Sequence, residues 1–329
     1  MNTQVLLARR PEGEPAPDDF RIVQTPVPAP KDGEVLLRTR FLSLDPYMRG
    51  RMSAAKSYAK PGEVGEVMTG GTVSDVVESR HTGFEKGDVV VGMTGWQEYA
   101  VSDGRGLRKL DPQAAPVTYA LGVLGMPGHT AYCALLDIGA PKTGETLVVS
   151  AASGAVGSVA GQIGKLKGCR VVGVAGGADK CRFVVETLGF DACIDRRAES
   201  LDDALAKHCP DGIDVYFDNT AGPILEAVLR RINLHARIPL VGTIAQYNAT
   251  QAPPGPNVRP LLVNRAKIEG FLVFDHTAHF DAFQRDVGGW VRGGRIHYKE
   301  DVVEGLEQAP RALIGLLRGE NFGKLLVKV

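Results

Sequence analysis

The stretch that most constrains this 329-residue chain is Thr146-Leu147-Val148-Val149-Ser150-Ala151-Ala152-Ser153-Gly154-Ala155-Val156-Gly157. An apolar, β-prone run breaks at small residues. Val159, Ile163 and Leu166 then recur three or four apart, the spacing of a helix with one buried face. A strand that turns through glycine into a helix aims free backbone N–H groups and a positive helix end at an anion. Ala152-x-Gly154-x-x-Gly157 has the spacing of a dinucleotide-binding turn, with alanine in place of its first glycine. Gly154 lets a pyrophosphate approach the backbone, and Gly157 lets the helix pack close to the strand. Alone, the motif also fits a tight turn with no ligand, so its surroundings decide.

From Thr146 onward strands alternate with helices. Strands are expected over 170–174, 192–194, 213–218, 237–241 and 267–273, and helices over 179–188 and 201–208. Six apolar strands with helical crossovers predict a doubly wound parallel sheet covered on both faces. Earlier, short strands over 5–8, 20–23, 34–39, 70–77, 88–91 and 96–101, broken by Pro and Gly, suggest a barrel-like β domain. A helix is expected over 128–138, a stiff loop over 247–260, and further helices near 280–291 and 310–317. A last strand, 324–329, is expected to return to the β domain. The chain thus reads as a β domain over 1–125, completed by about 300–329, and a dinucleotide-binding domain over 126–299.

Lysine plus arginine equals aspartate plus glutamate, 38 each, so no net field draws in nucleic acid or an anionic membrane. Five cysteines with no CxxC pair suggest neither a disulfide framework nor a zinc knuckle, and fit a reducing compartment. With no apolar signal core and no run near the roughly 20 apolar residues of a membrane span, a cytoplasmic location is expected.

In such units the second strand usually ends, about 20 residues past the glycine turn, in a carboxylate that takes a ribose 2′-hydroxyl. Here it ends Val174-Ala175-Gly176-Gly177. Gly176 leaves room for a 2′-phosphate, Lys180 stands where it can pair with one, and Arg182, Arg196 and Arg197 add charge nearby. The same charges also read as solvated surface residues, and Asp179 offers a carboxylate suited to a hydroxyl. Phosphate pairing favours NADP over NAD.

Several blocks, in order and nearly end to end, resemble the zinc-independent medium-chain dehydrogenase/reductase superfamily, nearest its leukotriene dehydrogenase/prostaglandin reductase branch with the alkenal double-bond and curcumin reductases. They are Leu44-Asp45-Pro46-Tyr47-Met48-Arg49, Leu124-Gly125-Met126-Pro127-Gly128-His129-Thr130-Ala131-Tyr132, residues 151–162, Phe217-Asp218-Asn219, Ile244-Ala245-Gln246-Tyr247-Asn248, Glu269-Gly270-Phe271 and Asn321-Phe322-Gly323-Lys324. The resemblance implies an α/β fold, a Rossmann doubly wound parallel sheet plus a GroES-like β-barrel domain, with NADPH in the cleft and a homodimeric assembly. It carries cofactor contacts onto Gly154, Ala155, Val156 and Gly157 at the pyrophosphate and Lys180 at the 2′-phosphate. Further contacts fall on Asn219, on Val241, Gly242, Thr243, Ile244 and Tyr247, on Phe271, Leu272 and Val273 near the nicotinamide amide, and on Asn321. Where relatives often place a tyrosine against the adenosine end, this chain has Arg196, whose guanidinium can stack or bind phosphate.

Zinc-dependent cousins use an early cysteine, a Gly-His-Glu motif and a cysteine-rich lobe. Here the corresponding blocks read Leu44-Asp45-Pro46-Tyr47 and Glu63-Val64-Gly65-Glu66-Val67-Met68, no cysteine precedes Cys133, and His81 and His129 are scattered. A catalytic zinc needs about three protein ligands, and no metal is expected.

Without a Lewis acid, reducing an alkene conjugated to a carbonyl is the easier chemistry. Hydride adds to the β carbon, charge moves to the carbonyl oxygen, and a donor must meet it. Tyr247 is the candidate, just past the fifth strand on the edge where open α/β sheets bind ligands, although a packing role is the plainer reading of a loop tyrosine. Tyr47 and Met126 suit the wall of an apolar enone pocket, or plain core. The expected substrate is a small enone or enal. The rivals are a quinone reductase of the same fold and a non-catalytic NADPH-binding regulatory module.

Overall fold

The run that begins at Thr146 becomes the central strand of a parallel sheet in the computed structural model, which describes residues 1–251 and 253–329. Among those residues the sheet has six strands, ordered Ala192–Asp195, Arg170–Ala175, Thr146–Ser150, Ile213–Phe217, Ile232–Leu240 and Lys267–Gly270. Neighbours are parallel throughout. Every residue of Thr146–Ser150 is buried, as a strand covered on both faces requires. Val148, Val172, Ile194, Tyr216 and Ile238 share one core with Leu205, Leu225 and Val228 from the helices. The strand order reverses between Thr146–Ser150 and Ile213–Phe217, where connections leave in opposite directions and a ligand crevice opens at the carboxyl ends.

Local chemistry accounts for what the sequence obscures. Helix Gly222–Leu229 opens with Gly222-Pro223, and proline in a first turn forfeits only an N–H that has no helical partner anyway. The helix expected over 128–138 runs over Met126–Cys133 and then widens into a π-turn over Ala134–Gly139. The loop expected over 247–260 spans residue 252, which lies outside the described residues, and yields at its far end to a short helix, Arg259–Val263.

The chain divides into two units, one of Met1–Leu121, Tyr247–Thr250 and Glu300–Val329, the other of Gly122–Gln246 and Gln251–Lys299. The second unit opens at Gly122, whose carbonyl accepts hydrogen bonds from the amides of Gly125 and Gly128 at the helix entry. Tyr247–Thr250 groups with the first unit. Arg49 is the reason: its Nε donates to Asn248 Oδ1 at 3.2 Å and its Nη2 to the Gly13 carbonyl at 2.7 Å.

In the first unit, strand Val35–Ser43 pairs antiparallel with Thr72–Ser79, Tyr99–Ser102 and the C-terminal strand Lys324–Lys328. Glu300–Glu304 adds a parallel edge beyond the tail strand. Leu42, Met48, Trp96, Leu313 and Leu325 pack into one core, with Phe20 stacked on Trp96 at 5.8 Å between ring centres. Two blocks that stand far apart in sequence meet here. Lys324, with its side chain 1% exposed, donates to Asp45 Oδ1 at 2.9 Å and to the Leu44 carbonyl at 2.8 Å, and Ser43 Oγ donates to the other Asp45 oxygen.

Candidate functional site

At the carboxyl end of Thr146–Ser150 the chain turns through Ala151, held at φ +49°, and Gly154 N–H closes the turn on the Ala151 carbonyl at 2.9 Å. The left-handed residue is thus Ala151. Ala152, at the fingerprint's first position, is buried and bonds back to Val174. Gly157 opens helix Gly157–Leu166, and a Cβ there would lie 2.4 Å from the Ala151 carbonyl oxygen. Only glycine lets the helix start so close to the strand. The amides of Ala155, Val156 and Gly157 fall in the part of the helix entry that has no carbonyl upstream in its own ladder, the donor set an anion needs.

The ends of the neighbouring strands are stitched to this turn. Asn219 donates its backbone N–H to Ser150 Oγ at 2.8 Å and its side-chain amide to the Ser150 carbonyl at 2.7 Å. The Asp218 carbonyl accepts from Val241 N–H at 2.8 Å and Gly242 N–H at 3.2 Å. The Asp218 carboxyl is fully buried, and Oδ1 gathers bonds from Tyr216 Oη and the amides of Thr220 and Ala221. Burial pushes this carboxyl up, against those hydrogen bonds. Phe271 N–H bonds to the Leu240 carbonyl at 3.0 Å, so Phe271, Leu272 and Val273 continue along the same edge. Gly154–Gly157, Asn219, Val241–Ile244 and Phe271–Val273 are therefore brought together on one edge of one sheet.

The end of the second strand is basic. A Cβ on Gly176 would sit 3.1 Å from Arg197 Nε and 3.5 Å from Arg196 Nε, so both guanidinium groups lie over a glycine backbone. Asp195 Oδ1 accepts from the amides of Gly177 at 2.8 Å and Arg197 at 3.0 Å, which fixes this corner and holds the Asp195 carboxyl below the usual range. Lys180, in the first turn of helix Ala178–Glu186, is half-buried. Asp179, the carboxylate that favoured a hydroxyl, is 83% exposed and pairs with Arg182.

The other expected residues belong to the first unit, Met126 excepted. Tyr47 is half-buried against the Met48 core, with Arg51 over its ring at 5.7 Å, and burial together with Asp45 pushes its phenol up. Tyr247 is half-buried and immediately precedes Asn248, the residue gripped by Arg49. The Asn321 side chain donates to the Gly323 carbonyl at 2.9 Å. Met126 opens the Met126–Cys133 helix of the second unit, half-buried.

No metal is expected from the sequence, yet one group of side chains has metal-binding chemistry. Among the described residues, Cys133, Asp137, His276 and His279 of the second unit bring ligand atoms within 4.8 Å of one another. His276-Thr277-Ala278-His279 and Cys133-x-x-x-Asp137 were the available signals, each too short to weigh alone.

Residues 3–110 match the family described as the N-terminal domain of oxidoreductase, and residues 155–287 the family described as zinc-binding dehydrogenase. The chain is 53% identical to the NADPH-dependent curcumin reductase of Escherichia coli, over 100% of this chain and 97% of that protein. It is 42% identical to the 2-alkenal reductase (NADP(+)-dependent) of Nicotiana tabacum, over 100% and 97%. Its fold superposes on CurA from Vibrio vulnificus, crystallised in complex with NADPH, with a TM-score of 0.96, 54% identity and 99% of each chain covered.

Proposed function

The chain belongs to the medium-chain dehydrogenase/reductase superfamily, and we propose that it is an NADPH-dependent reductase of the carbon–carbon double bond of α,β-unsaturated ketones and aldehydes, with Tyr247 as its hydrogen-bond donor. The observation that carries the cofactor reading is the cradle at Gly157, where a Cβ would strike the Ala151 carbonyl, together with the basic corner at Gly176. These residues fit a dinucleotide phosphate. Ala155, Val156 and Gly157 would hold the pyrophosphate, and Lys180, Arg196 and Arg197 the 2′-phosphate.

When bound, the cofactor supplies a hydride. Asn219 and Val241–Ile244, locked to the strand ends through Ser150 and Asp218, form a rigid floor that orients rather than adapts. The Tyr247 hydroxyl donates to the substrate carbonyl oxygen as negative charge develops there, and the α carbon takes its proton from solvent or from that hydroxyl. Arg49, through Asn248, acts on the backbone that carries Tyr247 and is a positioning residue. Tyr47 and Met126 supply apolar contact for an extended enone.

NADPH oxidation is measured with an enone, a quinone and no acceptor. Turnover of the enone is expected, and Tyr247→Phe is expected to lower its kcat/KM about a hundredfold, roughly 3 kcal/mol of barrier. Preference for the quinone with an indifferent Tyr247→Phe indicates the quinone reductase reading. Cofactor binding without turnover of either indicates a regulatory module.

A homodimer, working in the cytoplasm, completes the proposal. Strand Lys267–Gly270 is an edge of the parallel sheet with all four residues exposed, and Leu262 and Val263 stand exposed just before it. An open edge beside apolar side chains suits a second copy related by a twofold axis. Light scattering is expected to give twice the 35.1 kDa of one chain, and Ile268→Lys to halve it.

A further inference from the structure

Away from the sheet edge just described, the second unit gathers four side chains of metal-binding chemistry. Cys133 ends the Met126–Cys133 helix, and Asp137 follows four residues later in the Ala134–Gly139 turn, on the same side. His276 and His279 come from Val273–His279, the segment that follows the sixth strand. Nδ1 of His276 lies 3.0 Å and Nδ1 of His279 3.2 Å from one oxygen, Asp137 Oδ2. Cys133 Sγ lies 4.0 Å from His279 Nδ1.

These three separations bracket the edge length of a tetrahedral site, and all the ligand atoms lie within 4.8 Å of one another. Bonds of about 2.3 Å to sulfur and about 2.0–2.1 Å to nitrogen and oxygen around one centre leave the ligand atoms roughly 3.3–3.7 Å apart. Hydrogen bonds serve the group poorly. If Nδ1–H of His279 donates to Asp137, the same nitrogen has no lone pair left for the Cys133 thiol. Phe271 stacks on the His276 ring at 4.6 Å and fixes its plane, as ligand histidines require. One turn before Cys133, His129 is buried, and its Nε2 has no hydrogen-bond partner among the described residues.

We propose that Cys133, Asp137, His276 and His279 form a four-coordinate zinc site whose role is structural. One thiolate, one carboxylate and two imidazoles are a zinc ligand set, and the two anionic ligands balance a divalent ion. On binding, the ion forms four bonds and the Cys133 thiol proton leaves to solvent; nothing is oxidised or reduced. Four protein ligands leave no open position, so the ion is a clamp rather than a Lewis acid for the substrate. It ties the segment continuing from Phe271–Val273 to the helix that Met126 opens. The residues differ from those that zinc-dependent cousins use, and enone reduction does not pass through them.

The test is cobalt(II) titration of the chelator-treated full-length protein. The expected result is one equivalent bound, with intense visible bands of tetrahedral cobalt and a near-ultraviolet thiolate charge-transfer band, and one zinc per chain by elemental analysis after zinc loading. Cys133→Ala should abolish the charge-transfer band, and His279→Gln, at a half-exposed position, should weaken zinc binding at least a hundredfold. Each variant is checked for folding by its NADPH fluorescence. Wild-type protein that shifts NADPH fluorescence yet shows no cobalt bands at stoichiometric metal overturns the proposal. So does equal zinc affinity in wild type and both variants. Cobalt bands in a protein inert toward enones leave the site standing and remove the proposed activity instead.

Discussion

Asp179 and Lys180 are adjacent in sequence and differ in setting. The carboxylate is almost fully solvated beside Arg182, while the lysine is half-buried in the helix's first turn. A solvated carboxylate that already has a cation beside it is a poor ribose ligand, and a 2′-phosphate at Gly176 would meet arginine instead. Lys180→Ala and Arg196→Ala are each expected to raise the KM for NADPH about tenfold or more, the scale of one charged hydrogen bond. The KM for NADH should stay within about twofold, which steady-state kinetics with both cofactors will check. The glycine spacing was legible because it reflects backbone clearance, and the missing carboxylate at 176–177 because it is a local fact. The Arg196–Arg197 corner was only half legible, since its placement depends on Asp195 holding two amides at once. The Cys133 cluster was not, because its members come from two segments far apart in sequence.

The parallel sheet concentrates binding groups at one end of its strands and a salt bridge at the other. Before the first strand, Glu145 meets Arg237 of strand Ile232–Leu240 through bonds of 2.6 and 2.9 Å, and Arg237 also caps the Gly139 and Ala140 carbonyls. Burial alone would push the Glu145 carboxyl up, but hydrogen bonds from Arg237 and the Lys142 amide outweigh it and hold the group below the usual carboxylate range. A depressed carboxyl contributes stability above its unfolded value, lost as pH falls through the folded one. Arg237→Met is therefore expected to cost about 3 kcal/mol near pH 7 and progressively less below pH 4.5, as urea midpoints at several pH values will record. The strands were readable from apolar runs. Ile232–Leu240 was read short because His235 at φ +60° and a register shift against Ile213–Phe217 break its first half. Such a bulge leaves no periodic trace.

Across the whole molecule, the first unit is assembled from three separate lengths of chain. The return of the tail strand was legible only as an inference from a two-domain fold whose parallel sheet was already complete, since nothing in 324–329 names its partner. The fastening is Lys324 on Asp45, a buried pair inside the first unit. Lys324→Met, which strands a buried carboxylate, is expected to cost about 3–5 kcal/mol, and pairing it with Asp45→Leu to restore most of that. Urea unfolding followed by Trp96 fluorescence, in a Trp290→Phe background, will compare them. The same fastening bears on synthesis at the ribosome. A nascent chain can build its nucleotide-binding half while the β half, although translated first, still lacks a strand and the ammonium that neutralises Asp45. The β half is then the last to close, and loss of residues 324–329 would unsettle the distant segment that carries Asp45.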